Sequence, residues 1–72
     1  MKVNTIANTP TFTLTSWGNG VAYSLVNHTR KQEVYVQGDD ADQFITLYGY
    51  LMRTGATHAL KEVWETYADV AS

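Results

Sequence analysis

Three acidic side chains form the densest group of residues whose chemistry invites a functional interpretation. Asp39, Asp40 and Asp42 lie within four consecutive positions, and carboxylates are ligands for calcium and magnesium. Their spacing differs from that of a calcium-binding loop, in which ligands alternate and a glycine follows at the sixth position. Acidic residues in the first turn of a helix also offset the positive end of the helix dipole. We interpret the cluster as a helix start, and we expect no metal site and no cofactor.

The histidines and serines lack the spacing of catalytic groups. Neither His28 nor His58 has a second histidine one helical turn away, as zinc sites on helices usually do. The chain has no cysteine, so it has no thiolate nucleophile and no disulfide. Ser16 and Ser24 fall in predicted strands without the sharp turn that exposes a nucleophilic serine. The sequence therefore predicts a protein that is not an enzyme.

Composition limits the class of protein and its partners. Residues 1–31 carry three basic residues and no acidic one, residues 32–72 carry two basic and seven acidic residues, and the net charge is −2. This charge distribution gives no basic stripe of the kind that binds nucleic acid. The chain has no apolar run of the about 18 residues that span a bilayer, and its start lacks the apolar segment of a secretion signal. We expect one cytoplasmic domain over residues 1–72, stabilised in part by homodimer formation.

A β-hairpin is predicted by two alternating segments, TFTLTSW and VAYSLVN. Apolar and polar side chains alternate in both with a period of two, which is typical of strands buried on one face. Asn19-Gly20 between them is a strong hairpin signal, because a type I′ turn needs positive φ at both central residues. A two-residue turn pairs Leu14 with Leu25 and keeps the apolar side chains on one face. That face consists of Phe12, Leu14, Tyr23 and Leu25.

The segment QEVYVQ extends the hairpin to a third strand. A loop of four residues, His28–Lys31, separates it from the second strand, and this is a common hairpin length. The sequence therefore predicts a three-stranded antiparallel meander over residues 11–37. Residues 1–10 are predicted either as an N-terminal arm or as a short edge strand.

Helical periodicity follows the meander. With Asp40 as the N-cap, Gln43 occupies the third helical position, as in a capping box. Apolar residues then recur at helical spacing, and Gly55 suits the left-handed position that ends a helix. Gly49 lies inside this helix, where a close backbone contact would explain a residue that costs about 1 kcal/mol relative to alanine. The sequence predicts a first helix over residues 40–54.

A second apolar stripe begins at Leu60 and continues to Ala71. Thr57 is a suitable N-cap for it, so a second helix is predicted over residues 57–71. The short connection implies that the two helices are packed together. The predicted fold class is α+β, with a βββαα order and two layers, the sheet against the helix pair.

The face of the sheet that the helices leave open carries the predicted binding site. Trp17, Tyr35 and Val26 lie on it among small polar side chains, and Trp and Tyr are enriched in binding hot spots. An exposed apolar patch on a small protein indicates a partner. In the alternative interpretation, Trp17 folds over the hairpin and covers Ala22. The predicted partner-binding residues are Trp17, Val26, Glu33, Tyr35, Gln37, Asp39 and Asp42.

The predicted function is non-enzymatic protein binding. Small size, acidity and the lack of catalytic groups are typical of small accessory or inhibitory proteins of phages and mobile elements, which act by occupying a surface of a host protein. Acidic side chains would steer such a protein to a basic partner surface. We expect a protein partner rather than nucleic acid, and no membrane.

Residues 33–70 also resemble the ribbon–helix–helix family, with a short strand, a helix, a turn that contains glycine, and a helix capped by threonine. The resemblance implies a dimer whose paired strands enter the major groove of DNA. Glu33, Tyr35 and Gln37 would then be the residues that face the groove. The alternative function is therefore a dimeric DNA-binding regulator. A third hypothesis is a homo-oligomer with a purely structural role, joined through an edge strand.

Overall fold

A computed structural model describes residues 3–18, 20–55 and 57–71. These residues form four antiparallel strands, two α-helices and one short 3₁₀ helix, and the strands form one sheet in the order in which they follow along the chain. The elements are β1 (Val3–Asn8), β2 (Phe12–Trp17), β3 (Ala22–Asn27), β4 (Gln32–Gln37), α1 (Asp39–Arg53), α2 (Ala59–Tyr67) and the 3₁₀ helix (Ala68–Val70). The two-layer α+β fold is confirmed, whereas the prediction of three strands is wrong because the sheet has a fourth.

The additional strand is β1, so residues 3–8 follow the edge-strand alternative. It pairs with β2 and contains a bulge between Thr5 and Ala7. The bulge displaces Ile6 from the ladder and shifts the alternation of side chains on either side of it. All residues of β1 except Ala7 are exposed. An exposed, bulged edge strand has no apolar alternation, and for this reason the sequence does not distinguish it from an arm.

The register of the other strands is as predicted. Leu14 lies opposite Leu25, and Leu25 lies opposite Val34. Residues opposite each other point to the same side of the sheet, so this register gathers the apolar side chains under the helices. The core consists of Phe12, Leu14, Tyr23, Leu25, Val34, Val36, Ala41, Phe44, Val63 and Trp64. The predicted type I′ turn includes Asn19, which lies outside the described residues.

The side chain of Asn27 shapes the loop between β3 and β4. This residue is buried, and its Oδ1 accepts hydrogen bonds from the backbone N–H groups of Thr29 (3.0 Å) and Arg30 (3.1 Å). Asparagine commonly stabilises turns in this way. Lys31 then adopts a positive φ of 55° before β4 begins. The four-residue loop His28–Lys31 is therefore confirmed, and it places two basic residues directly before β4.

Both helices begin at positions other than the predicted ones. α1 begins at Asp39 with Gly38 as its N-cap, and no side chain caps it, so the predicted capping box of Asp40 and Gln43 is wrong. Gly38 has a φ of 62°, which lets the chain turn from β4 directly into the helix. Gly55, with a φ of 76°, occupies the left-handed position after the C-cap, as predicted.

The second helix is shorter than predicted. It begins at Ala59 with His58 as N-cap, so Thr57 is not the cap, and it ends at Tyr67, where a 3₁₀ helix continues the chain. Its buried residues are Ala59, Val63 and Trp64. Apolar spacing alone does not distinguish an α-helix from the 3₁₀ turn that often follows one.

We expect Gly49→Ala to stabilise the protein. No atom would lie within 4 Å of a Cβ added at this position, so the expected close backbone contact is absent there. Alanine is favoured over glycine in a helix interior by about 1 kcal/mol. Urea denaturation followed by circular dichroism should show that increase in the free energy of unfolding. Gly38→Ala is the matched control, because its surroundings are equally open but its φ of 62° strains any other residue. A gain at Gly38 or a loss at Gly49 would contradict this prediction.

Candidate functional site

The candidate site is the side of the sheet that points away from both helices. We call it the open face. The strand register shows which side chains lie beside one another on this face. Trp17 lies opposite Ala22, and Ala22 lies opposite Gln37. Two residues further along β3, Ser24 lies opposite Tyr35. The prediction that Trp17 lies on the side opposite the core is confirmed. The described residues of the open face are Val3, Thr5, Asn8, Thr13, Thr15, Trp17, Ala22, Ser24, Val26, Glu33, Tyr35 and Gln37.

The indole of Trp17 lies across the neighbouring strand. Its Nε1–H donates a hydrogen bond to Ser24 Oγ at 3.1 Å. Because Trp17 is directly opposite Ala22, this bond is diagonal and draws the ring over β3. Ala22 and Ser24 are each 3% exposed although no helix lies on this side, whereas Trp17 itself is half-buried. The alternative interpretation, in which Trp17 folds over the hairpin, agrees with this geometry. The half-buried ring is also part of the open face.

A double-mutant cycle tests the bond between Trp17 and Ser24. Ser24→Ala removes the acceptor, and we expect a loss of about 0.5–1.5 kcal/mol in the free energy of unfolding. In a Trp17→Phe background, where no indole N–H is present, the same substitution should cost much less. Urea denaturation of the four proteins gives the coupling energy. Equal costs in both backgrounds would show that the hydroxyl stabilises β3 independently of the indole.

The part of the open face around Ser24 is aromatic and almost uncharged. Tyr35 is 54% exposed and lies opposite Ser24, beside the indole that bonds to the same serine. Val26 is half-buried, and Gln37 is exposed. Among the described residues of the open face, Glu33 is the only one with a formal charge. The five predicted binding residues of the strands thus lie together on one surface.

Asp39 and Asp42 do not belong to that surface. Both lie in the first turn of α1, in the other layer, and both are exposed. They follow Gln37 closely along the chain, so they are near one end of β4 and not within the face. Their position at the positive end of the helix dipole agrees with the predicted structural role of this acidic cluster.

A polar cluster at the opposite end of the open face was not identified from the sequence. Thr13 Oγ1 lies 3.0 Å from Asn8 Oδ1 and 2.7 Å from His28 Nε2. A hydroxyl has a single hydrogen to donate, and Asn8 Oδ1 accepts it, so His28 donates its Nε2–H to the threonine oxygen. Three residues from β1, β2 and the loop before β4 thus meet there. Only the pairing of β1, which the sequence left undecided, brings Asn8 to Thr13.

A groove lies elsewhere, between the β1–β2 turn and the facing ends of α1 and α2. It has a volume of about 500 Å³, and its walls include Phe12, Tyr48 and Leu60. His58 and Lys61 border it, but none of the described residues that line it is a carboxylate. An acid–base pair with an orienting carboxylate is therefore not assembled from those residues. We give this groove no functional role.

Other chemical groups of the described residues are also dispersed. Within residues 3–18, 20–55 and 57–71, no three His, Asp or Glu side chains are close enough to hold a metal ion.

Burial, with a smaller contribution from the nearby Asp40 carboxylate, raises the pKa of the Tyr67 phenol above its ordinary value. This hydroxyl therefore stays neutral at physiological pH. Ser16 is buried on the core side of the sheet. No helix in the described part of the chain has the length and apolar character to cross a bilayer.

The strand–helix–helix order of β4, α1 and α2 agrees with the ribbon–helix–helix resemblance only in outline. β4 pairs with β3 along its whole length, so one of its two edges is already occupied within the chain. Comparison of the chain with models of protein families, with curated proteins and with solved structures found no match. The functional argument therefore depends on the residues of the open face.

Proposed function

We propose that this protein is a non-enzymatic binding module whose open face docks onto another protein. The observation that supports the proposal most directly is the presence of two aromatic side chains around Ser24 on that face, Trp17 bonded to this serine and Tyr35 exposed opposite it. By occupying a surface of its partner, the module acts as a small accessory or inhibitory protein of the kind that phages and mobile elements carry.

The arrangement of Trp17 supports a role as an anchor. Trp and Tyr supply most of the binding energy in many interfaces, where neutral polar residues surround them and exclude water. The bond to Ser24 fixes the indole before a partner arrives, so less side-chain entropy is lost on binding. Thr13 and Thr15, on the same strand and the same face as Trp17, provide the small polar surroundings.

The charges around the open face favour a protein over DNA. Binding to DNA depends on Lys and Arg that neutralise phosphates, and the only charged residue among the described residues of the face is Glu33. Asp39 and Asp42, exposed beyond the end of β4, would guide the module to a basic partner surface. In mobility-shift assays at low salt we expect no complex with DNA, and a complex that weakens steeply as salt rises would favour the regulator instead.

Affinity capture from cells of the native host tests the proposal. The bait is the intact chain, and the test variant is Trp17→Ala with Tyr35→Ala. Tyr50→Ala with Met52→Ala is the matched control, because both residues are 55% exposed and lie on α1 in the other layer. We expect the wild type and the control to capture the same protein and the test variant to lose it. Equal capture by all three baits would remove the open face from consideration.

A further inference from the structure

One edge of the sheet is regular, and no second strand among the described residues pairs with it. β4 is the last strand in the order, with six residues in uninterrupted register with β3. The other edge, β1, is different, because its ladder is broken by the bulge at Ile6. Bulges prevent edge strands from pairing with other chains, whereas a regular edge presents free backbone donors and acceptors. If this sheet is extended by another strand, β4 is the edge at which it happens.

The two ends of β4 carry opposite charges. Arg30 and Lys31 directly precede the strand, and Asp39 and Asp40 follow it after Gly38. All four charged residues are exposed. A second copy of β4 aligned antiparallel would bring the basic end of each strand beside the acidic end of the other. A parallel copy would place like charges together. The charges at the two ends of β4 are therefore complementary only when two copies of the strand run antiparallel.

The alternation of side chains limits the registers in which two copies of β4 can pair. Opposite residues share a face, so both helix layers lie on the same side only if core-facing residues oppose core-facing residues. With Tyr35 opposite Tyr35 of the second copy, Val34 lies opposite Val36, and the loop that carries Lys31 lies beside the end of β4 at which Asp39 begins α1. A shift that places Val36 opposite itself would move Glu33 toward that acidic end of the second copy and create repulsion. Charge and side-chain alternation thus favour the register centred on Tyr35.

The flank of α1 next to this edge carries two large apolar side chains among polar ones. α1 packs on β3 and β4, while α2 lies over β2, where Trp64 contacts Phe12. The flank of α1 directed away from α2 holds Leu47 and Tyr50, and the latter is 55% exposed. In a dimer formed through β4, the same flank of the second copy would lie across the two-fold axis, on the side of the sheet away from the open face.

We propose that two copies of this chain pair antiparallel through β4 and form one continuous sheet. Each copy supplies four strands, so the open faces join, with the two Tyr35 side chains adjacent at the centre. In the ribbon–helix–helix pattern the paired strands form a ribbon of two, whereas here each paired strand is the edge of a larger sheet. This inference is independent of the proposed function, since it concerns self-association and not the captured partner.

Two charge-reversal variants test the dimer. The acidic variant carries Arg30→Glu and Lys31→Glu, and the basic variant carries Asp39→Lys and Asp40→Lys. Each repels itself at both ends of β4, so its dimer dissociation constant should rise by about tenfold or more. A mixture of the two restores opposite charges at both ends and should form a mixed dimer. The control variant Lys61→Glu with Glu65→Lys changes exposed charges on α2 and should dimerise as the wild type does.

Light scattering and native mass spectrometry measure the outcome, after circular dichroism has shown that each variant is folded. The wild type should have twice the mass of the 8.1 kDa chain, and rising salt should weaken the dimer. If the basic variant does not fold, the acidic variant alone decides the result against the control. A wild-type mass of one chain up to a concentration of about 1 mM, or a dimer that the acidic variant forms as tightly as the wild type, would overturn the proposal.

Discussion

Replacing Phe44 with alanine is expected to lower the free energy of unfolding by about 3–5 kcal/mol. The side chain is fully buried, and its ring lies 5.9 Å from the ring of Tyr23 and 5.2 Å from that of Tyr67. Truncation of a buried phenylalanine costs about 3–5 kcal/mol. A domain of 72 residues has a total stability of only about 4–11 kcal/mol. The substitution therefore removes a large part or all of the free energy of unfolding. The effect is large because the Phe44 side chain joins the sheet to both helices.

Urea denaturation followed by circular dichroism gives the size of this effect. Tyr50→Ala is the control, since it truncates an aromatic side chain on the same helix that is 55% exposed. Substitutions at such surface positions usually change stability by less than about 0.5 kcal/mol. If Phe44→Ala and Tyr50→Ala cost the same, the packing of α1 on the sheet described here is incorrect.

Replacing Trp17 or Tyr35 with alanine is expected to abolish most of the affinity for the captured partner. Truncation of a hot-spot residue costs about 2 kcal/mol or more, which corresponds to about thirtyfold or more in the dissociation constant. Trp17→Ala should also cost some stability, because the indole covers Ala22 and Ser24. Tyr35, 54% exposed, covers no core residue, so its substitution should reduce binding while stability changes little.

Titration calorimetry with the purified partner measures the affinities, and thermal denaturation measures stability in parallel. Tyr50→Ala serves again as the control, because its exposure of 55% nearly equals that of Tyr35. The proposal requires that Tyr35→Ala binds far more weakly than Tyr50→Ala at equal stability. The reverse order would place the binding surface on α1.

Turn chemistry and alternation together predict most of the sheet. The pairing of Leu14 with Leu25 follows from the position of the hairpin turn, because a shift of one residue would mix apolar and polar faces. For β1 the sequence leaves an arm and an edge strand open. Its bulge at Ile6 and its exposed side chains remove the alternation of apolar and polar residues that identifies the other strands. Local pattern identifies strands that are half-buried, and it fails for an edge strand that is bulged and mostly exposed.

The helix starts show a different limit of local pattern. Asp40 and Gln43 have the spacing of a capping box, yet the turn at Gly38 begins α1 earlier and no side chain caps it. In the candidate site, alternation places Trp17 on the correct side of the sheet. It does not predict the tilt of the ring, because the bond to Ser24 crosses strands diagonally and depends on the rotamer of Trp17. The cluster at Thr13 depends on the pairing of β1 in the same way.

The most direct test of the open face as a docking surface is nuclear magnetic resonance of the labelled chain titrated with its captured partner. The indole N–H of Trp17 gives a resolved signal, since it donates to Ser24 in the free protein. We predict that this signal and the amide signals of Tyr35 and its neighbours in β3 shift on binding, while those of Tyr50 and Met52 on α1 do not. Shifts confined to α1 and α2, with an unchanged indole signal, would contradict the account.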